Sequence, residues 1–237
     1  MYAILGVIAK PLGWLLTLLY NLIGNYGITI ILFTLIVKMC LYPLYIKQTK
    51  STARMASVQP KMKDLQTRYA NDKETLNIKM AELYKEERFN PMSGCLPMLI
   101  QMPIIMGLFA LLRDPTQYMN DPNMLFAVHE SFLWILDLSQ PDKWILPILA
   151  GIATYIAFSL NQNSGDPMGG AGGQMGGMMK MMKYIFPIMI VWMGRSFPAG
   201  LAIYWAIGQV MQIFFNLHLN SIKKKINEEE KKKKKKK

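Results

Sequence analysis

Lys38 is the one charged side chain in the apolar run 27–46, and it stands twelfth among those twenty residues. Twenty helical residues rise about 30 Å, the thickness of a bilayer's hydrocarbon core, so the ammonium lies deep within the run. Facing lipid there would cost about 3 kcal/mol or more, which obliges the cation to meet protein or water. Two arrangements satisfy that demand. The long stem snorkels to the nearer interface, or the ammonium floors a hydrated recess inside the membrane. Thr34, one turn earlier on the same face, helps keep that side polar. Other apolar runs supply Gln101, then Thr154 and Tyr155, then Trp205, Gln209 and Gln212 at i, i+4, i+7. Spread over four helices, these groups either line one shared wet concavity or serve singly as hydrogen-bonding glue between helices.

Much chemistry is excluded by what those runs lack. No Asp or Glu falls within 27–46, 95–113, 144–162, 181–195 or 197–216, which removes paired carboxylates, a proton relay and a cation-coupled site from the bilayer interior. His129 and His218 are far apart in the chain with no nucleophile beside either, and no phosphate-cradling glycine loop precedes a lysine at the right spacing. Cys40 and Cys95 both sit in apolar segments, so neither a disulfide framework nor a zinc site is indicated. Six methionines (Met168, Met175, Met178, Met179, Met181, Met182) cluster without His or Cys partners, which suits a mobile apolar surface better than Cu(I). No enzyme, cofactor or metal site is expected.

Apolar residues make up 52% of the 237, and they come in blocks separated by charged stretches. The pattern predicts an all-α polytopic membrane protein with five transmembrane helices at 27–46, 95–113, 144–162, 181–195 and 197–216. Before the first, residues 1–26 hold an amphipathic helix with interface-seeking Trp14 and Tyr20, broken at Gly24-Asn25; a sixth span over 1–23 is the other reading. No small-residue cleavage site follows that stretch, so a removed signal peptide is not expected. Residues 47–92 read as a cytoplasmic helical hairpin, with apolar seams at Met62, Leu65 and Tyr69 and at Leu76, Met80, Leu83 and Tyr84, and Asp72 as a cap between them. Residues 114–143 form an extracytoplasmic loop in which the amphipathic 131–138 is expected to be a short interfacial helix. Residues 163–180 read as a flexible Gly/Met-rich loop, and 217–237 as a basic tail.

Lys and Arg fix the orientation. Ten lie in 47–92, two in 163–183 and ten in 217–237, against four (Lys10, Arg113, Lys143, Arg195) in the alternate set of loops. The positive-inside rule places the N-terminus outside and the C-terminus in the cytoplasm. A net charge of +12 implies an acidic partner: anionic lipid, ribosomal RNA or both. A small anion channel or transporter that binds its ion at Lys38 is the alternative function, and a purely structural scaffold a second.

Several stretches together resemble the YidC/Oxa-type membrane protein insertases. They are Asn25-Tyr26-Gly27 ahead of Lys38 and Leu41-Tyr42-Pro43-Leu44, then Gln59-Pro60-Lys61, Asn90-Pro91-Met92-Ser93-Gly94-Cys95-Leu96-Pro97, Leu99-Ile100-Gln101-Met102-Pro103 and Phe197-Pro198-Ala199-Gly200-Leu201. The five-helix arrangement is similar to the Gram-positive form of that family. The resemblance implies a hydrophilic groove open to the cytoplasm and to lipid. Its functional cation matches Lys38, where most bacterial members carry Arg; Lys offers a compact ammonium and no bidentate fork. Other implied groove residues match Thr34, Tyr204 and Trp205, and the client-contacting positions match Met102, Pro103, Ile105, Met189 and Trp192. The implied activity is ATP-independent insertion of nascent membrane proteins, alone or with the Sec translocon. The implied partners are those nascent chains, the ribosome at the basic tail and anionic lipid, with no role for DNA.

Overall fold

The computed structural model describes residues 2–87, 96–113, 118, 121–163 and 174–235. The described residues form eight helices: α1 (Tyr2–Ile23), α2 (Tyr26–Arg68), α3 (Lys73–Glu86), α4 (Leu96–Arg113), α5 (Pro122–Ala127), α6 (Ile145–Asn163), α7 (Gln174–Gly194) and α8 (Ala199–Lys235). The only pairing of extended backbone among them is one isolated bridge, Phe132 to Ile135. Among the described residues, three helical stretches are long and apolar enough to cross a membrane, Gly6–Ile23, Tyr26–Lys47 and Ala199–Ile226. Gln101–Leu112, Ile145–Leu160 and Lys183–Gly194 are shorter apolar helices. The chain is thus an all-helical polytopic protein of membrane type.

Local chemistry explains several helix ends. Gly24 takes a φ of 69°, the left-handed region that glycine enters without cost, and its N–H reaches Tyr20 O at 2.7 Å to close α1. Asn25 then caps α2, its side-chain oxygen accepting from Ile28 N at 3.0 Å. Asp72 caps α3 by accepting from Thr75 N at 3.0 Å. Asp121 followed by Pro122 starts α5, the proline supplying no N–H where none has a helical partner.

Three stretches depart from the sequence expectations. The helix within 114–143 is α5 at Pro122–Ala127, whereas 131–138 folds as a tight turn closed by the Phe132–Ile135 bridge, with Leu133 at a φ of 54°. The Asp-Pro-Asn cap starts the helix at 122, and the left-handed backbone at Leu133 breaks any helical path through 131–138. Helix α7 begins at Gln174 inside the stretch expected to be loop, because the methionines beyond Gly177 are good helix formers. Helix α8 continues without a break into the basic tail as far as Lys235. The motif at 90–95 and the loop residues 164–173 lie outside the described residues.

The chain divides into two compact units. One comprises Met1–Leu41, Pro97–Tyr155 and Pro187–Gln212. Its core gathers Tyr26, Ile30 and Phe33 of α2, Leu108 and Leu111 of α4, Met124 and Leu138 of the connecting loop, and Tyr204 of α8. The loop ties the ends of three helices together. Glu130 accepts from the Tyr20 hydroxyl and, at 2.7 Å, from Tyr26 N, while Gly200 N donates to Leu138 O at 3.0 Å and Ala199 N to Gln140 O at 2.9 Å. Gly27 leaves the space that the Phe132 ring fills.

The other unit comprises Tyr42–Leu96, Ile156–Phe186 and Ile213–Lys237. Its hairpin closes on Val58, Met62 and Leu83, with Leu65, Met80 and Tyr84 packed against them, so the two expected seams face each other. Lys61 and Glu87 form an ion pair at 2.5 Å. Elsewhere in that unit Asn216 Nδ2 donates to Ala157 O at 3.0 Å and Phe215 packs on Tyr42 with ring centroids 4.6 Å apart.

Two tests follow from these ties. Glu130→Ala should lower the unfolding free energy of the detergent-solubilised protein by about 2–4 kcal/mol, because a charged acceptor is lost from two donors at once. The second concerns Asp142, which accepts from Trp144 N, Ile145 N and Leu146 N at 3.0, 3.2 and 3.1 Å and from the Trp134 indole at 2.9 Å. Burial works to raise this carboxyl, but those donors outweigh it and hold it below the ordinary carboxylate value. A lowered folded value gives stability that is complete above the free carboxylate's value, about pH 4, and is lost as pH falls through the lower folded value. Thermal unfolding against pH should therefore fall off below about pH 4 more steeply in the native protein than in Asp142→Asn.

Candidate functional site: a buried ammonium relay

Lys38 sits on α2 between α4 and α8, and only 4% of it is exposed. Its Nζ donates to Gln101 Oε1 at 3.2 Å, and Gln101 Nε2 in turn donates to the Tyr204 hydroxyl at 2.9 Å. Polar groups from three helices therefore run in series from ammonium to amide to phenol. Tyr204 is itself buried, and its ring leans on Phe33 with centroids 6.4 Å apart. The partial negative charge of the amide oxygen meets the cation while the amide's own donor is satisfied by the phenol, so each polar atom in the series stabilises the next. The ammonium meets protein dipoles here, not open solvent.

The other expected groove residues divide. Thr34 is fully buried, but its hydroxyl donates to Ile30 O at 2.7 Å, leaving the methyl group to face α8. Thr154 behaves alike toward Ala150 O at 2.6 Å, and its oxygen also accepts from Trp205 Nε1 at 3.1 Å. That second pair joins α6 to α8. Gln209 is half-buried on α8, and Tyr155 is exposed. Of the positions matched to client contact, Met102, Pro103, Met189 and Trp192 present exposed surface, Trp192 at 73%, whereas Ile105 packs partly against the core.

Two residues escaped the sequence reading. Glu130, far along the chain from both of its partners, carries no local signal. Gly208 does carry one: it lies four residues past Tyr204, hence on the same face of α8. A constellation that spacing alone did not suggest also forms outside the apolar helices. His129 Nδ1 lies 3.1 Å from Asp137 Oδ2 and 3.0 Å from Ser139 Oγ, and Ser139 Oγ donates to Asp137 Oδ1 at 2.7 Å. Acid and hydroxyl share one ring nitrogen, whereas a nucleophile, base and orienting acid need both. The group is a clasp across the turn. Hydrogen bonds from Ser139 and His129 there outweigh burial and hold the Asp137 carboxyl below its ordinary value.

The relay makes its members unequal. Gln101→Leu strips the ammonium of its amide acceptor and should cost about 1–3 kcal/mol of unfolding free energy. Tyr204→Phe keeps the ammonium–amide bond and should cost about 1 kcal/mol or less, both read by denaturant unfolding in mixed micelles.

Residues 18–229 match the family described as 60Kd inner membrane protein. The chain is 37% identical over 213 residues to the membrane protein insertase YidC of Stutzerimonas stutzeri (strain A1501), a stretch that covers 90% of this chain and 35% of that protein. It is 37% identical over 213 residues to the protein of the same name from Francisella philomiragia (90% and 35% covered), and 38% identical over 213 residues to that from Pseudomonas fluorescens (strain SBW25), again with 90% and 35% covered. The chain thus spans about a third of the length of the curated relatives it matches. A buried cation on an apolar helix, held by polar groups of two further helices within a match this broad, belongs to a known kind of membrane protein: the chain is a member of the 60Kd inner membrane protein family, that of the YidC/Oxa-type proteins.

Proposed function

We propose that the chain is an ATP-independent insertase and chaperone for nascent membrane proteins, acting in a bacterial plasma membrane with or without the Sec translocon. The observation that carries this reading is the Lys38–Gln101–Tyr204 series, a positive charge stored in a largely apolar bundle beside a neutral amide and phenol. In the resting arrangement the Gln101 oxygen occupies the place that a client carboxylate would take. A client's short acidic tail competes for the ammonium, and ion pairing at low dielectric favours the carboxylate over the amide once both are desolvated.

The client's apolar helix then slides along the exposed faces of α4 and α7, at Met102, Pro103, Met189 and Trp192, into lipid. Burial of about 20 apolar residues supplies the driving force. The hairpin 47–92 receives the client first, and the basic tail 217–237 meets the ribosome or anionic headgroups. Five helices span, with the N-terminus outside and the C-terminus in the cytoplasm. Helix α1 lies along the outer surface. Support for that placement comes from contacts along α1 with the loop 114–143: Gly6 faces Tyr118, Asn21 meets Asp121 at 3.4 Å and Tyr20 binds Glu130. A helix crossing the bilayer would carry one end away from that loop. No bond-making step is assigned to any residue.

Reconstitution in liposomes with a client bearing a short acidic translocated tail tests the proposal. Lys38→Ala should lower insertion several-fold, Lys38→Arg should retain it, and a client with a neutral tail should be much less affected. Equal insertion by all three proteins would remove the electrostatic mechanism. Anion flux through liposomes holding the native protein alone would favour the channel reading instead.

A further inference from the structure

Lys38 reaches Gln101 only because α8 has no side chain where the lysine's end passes. A Cβ on Gly208 would stand 3.1 Å from Lys38 Cε, 3.7 Å from Lys38 Nζ and 3.9 Å from Thr34 Cγ2. The first of these distances is closer than carbon atoms normally approach, and the methylene of Lys38 and the methyl of Thr34 that could yield are boxed in. Thr34 cannot turn its methyl away without giving up its hydroxyl bond to Ile30 O, and Lys38 cannot retreat without lengthening its 3.2 Å bond to Gln101. Glycine within a helix carries a conformational cost relative to alanine, so its use here calls for a local reason. The contact with Lys38 is such a reason.

We infer that Gly208 is a positioning residue for Lys38: the missing side chain forms the notch in α8 across which the end of the lysine lies, and this sets the ammonium on the Gln101 oxygen. The inference rests on reading Lys38 as the charge offered to a client tail, and it adds what holds that charge in place. Alanine at 208 leaves the helix, the relay residues and the charge intact, and displaces only the lysine's end. Gln101 then keeps its bond to Tyr204 and loses the ammonium. Clients with acidic tails should suffer, and clients with neutral tails should not.

A double-mutant cycle separates this role from ordinary helix packing. Gly208→Ala is made in the native protein and in Lys38→Ala, and thermal unfolding is followed for all four proteins in the same micelles. With Lys38 present the added methyl group should lower the unfolding temperature. With alanine at 38 it should leave that temperature unchanged or raise it, since the clash is gone and the helix preference for alanine remains. The same downward shift in both backgrounds, or no shift in either, overturns the assignment. If Gly208→Ala alone does not fold, a double variant that folds and melts with Lys38→Ala supports it, and one that also fails overturns it. Insertion of the acidic-tailed client by Gly208→Ala should fall at least twofold while the neutral-tailed client is unaffected; equal losses for both overturn the role. Coupling in the unfolding cycle together with full insertion by Lys38→Ala would leave Gly208 as the notch and sink the proposed function of the charge.

Discussion

An ammonium among apolar helices must be solvated by whatever dipoles the fold can bring to it, and the inner arrangement of this protein follows from that demand. Lys38 lies where water is scarce, so the amide of Gln101 stands in for water, and the phenol of Tyr204 holds the amide in the orientation that turns its oxygen to the cation. The helices that carry these residues are fixed by ordinary apolar packing: Phe33 and Ile30 from α2, Leu108 and Leu111 from α4, and Ala202 and Tyr204 from α8. The charge is secured by helix positions first and by side-chain bonds second. Such a site is sensitive to sub-ångström changes in how α2 and α8 approach each other.

Away from the charge, the loop between α4 and α6 acts as the fastening of the first unit. A carboxylate, two loop carbonyls and one aromatic ring reach three separate helix ends. The carboxylate also does what a helix N-terminus asks of an anion, since Tyr26 N is one of the donors that α2 cannot satisfy internally. Asp142 meets the same need for α6, and there the Trp134 indole adds a fourth donor. Polar groups of the loop are thereby turned inward, leaving apolar side chains such as Phe126, Leu133 and Leu136 on its outer surface.

What could be read in the chain beforehand depended on how local its cause was. The break at Gly24-Asn25, the cap at Asp72 and the facing seams of the hairpin all arise from residues within a turn or two of one another. The lone cation and the polar residues on other spans were equally visible, because an apolar background makes each exception conspicuous. Which of them join was not visible. Thr34 and Thr154 spend their hydroxyls on the carbonyl four residues back, a habit of helical threonine that spacing arguments tend to overlook. Glu130 lies more than a hundred positions from its two partners, and the notch at Gly208 exists only once α2 and α8 have been set side by side. The turn at 131–138 shows the opposite failure, for its amphipathic pattern suggested a helix while the stronger local signal, Asp-Pro-Asn, stood ten residues earlier.

The loop's grip on α1, α2 and α8 has a mechanical meaning. Rods bound at one end spread by pivoting, so the displacement available to α2 against α8 grows with distance from the fastening. Tyr26 and Ala199 stand at the pivot, and Lys38 and Gly208 lie nine or more residues beyond it, on the longer arm. A rotation of about 5°, negligible at Glu130, displaces a side chain at that radius by about 1–2 Å, the scale on which a hydrogen bond is made or lost.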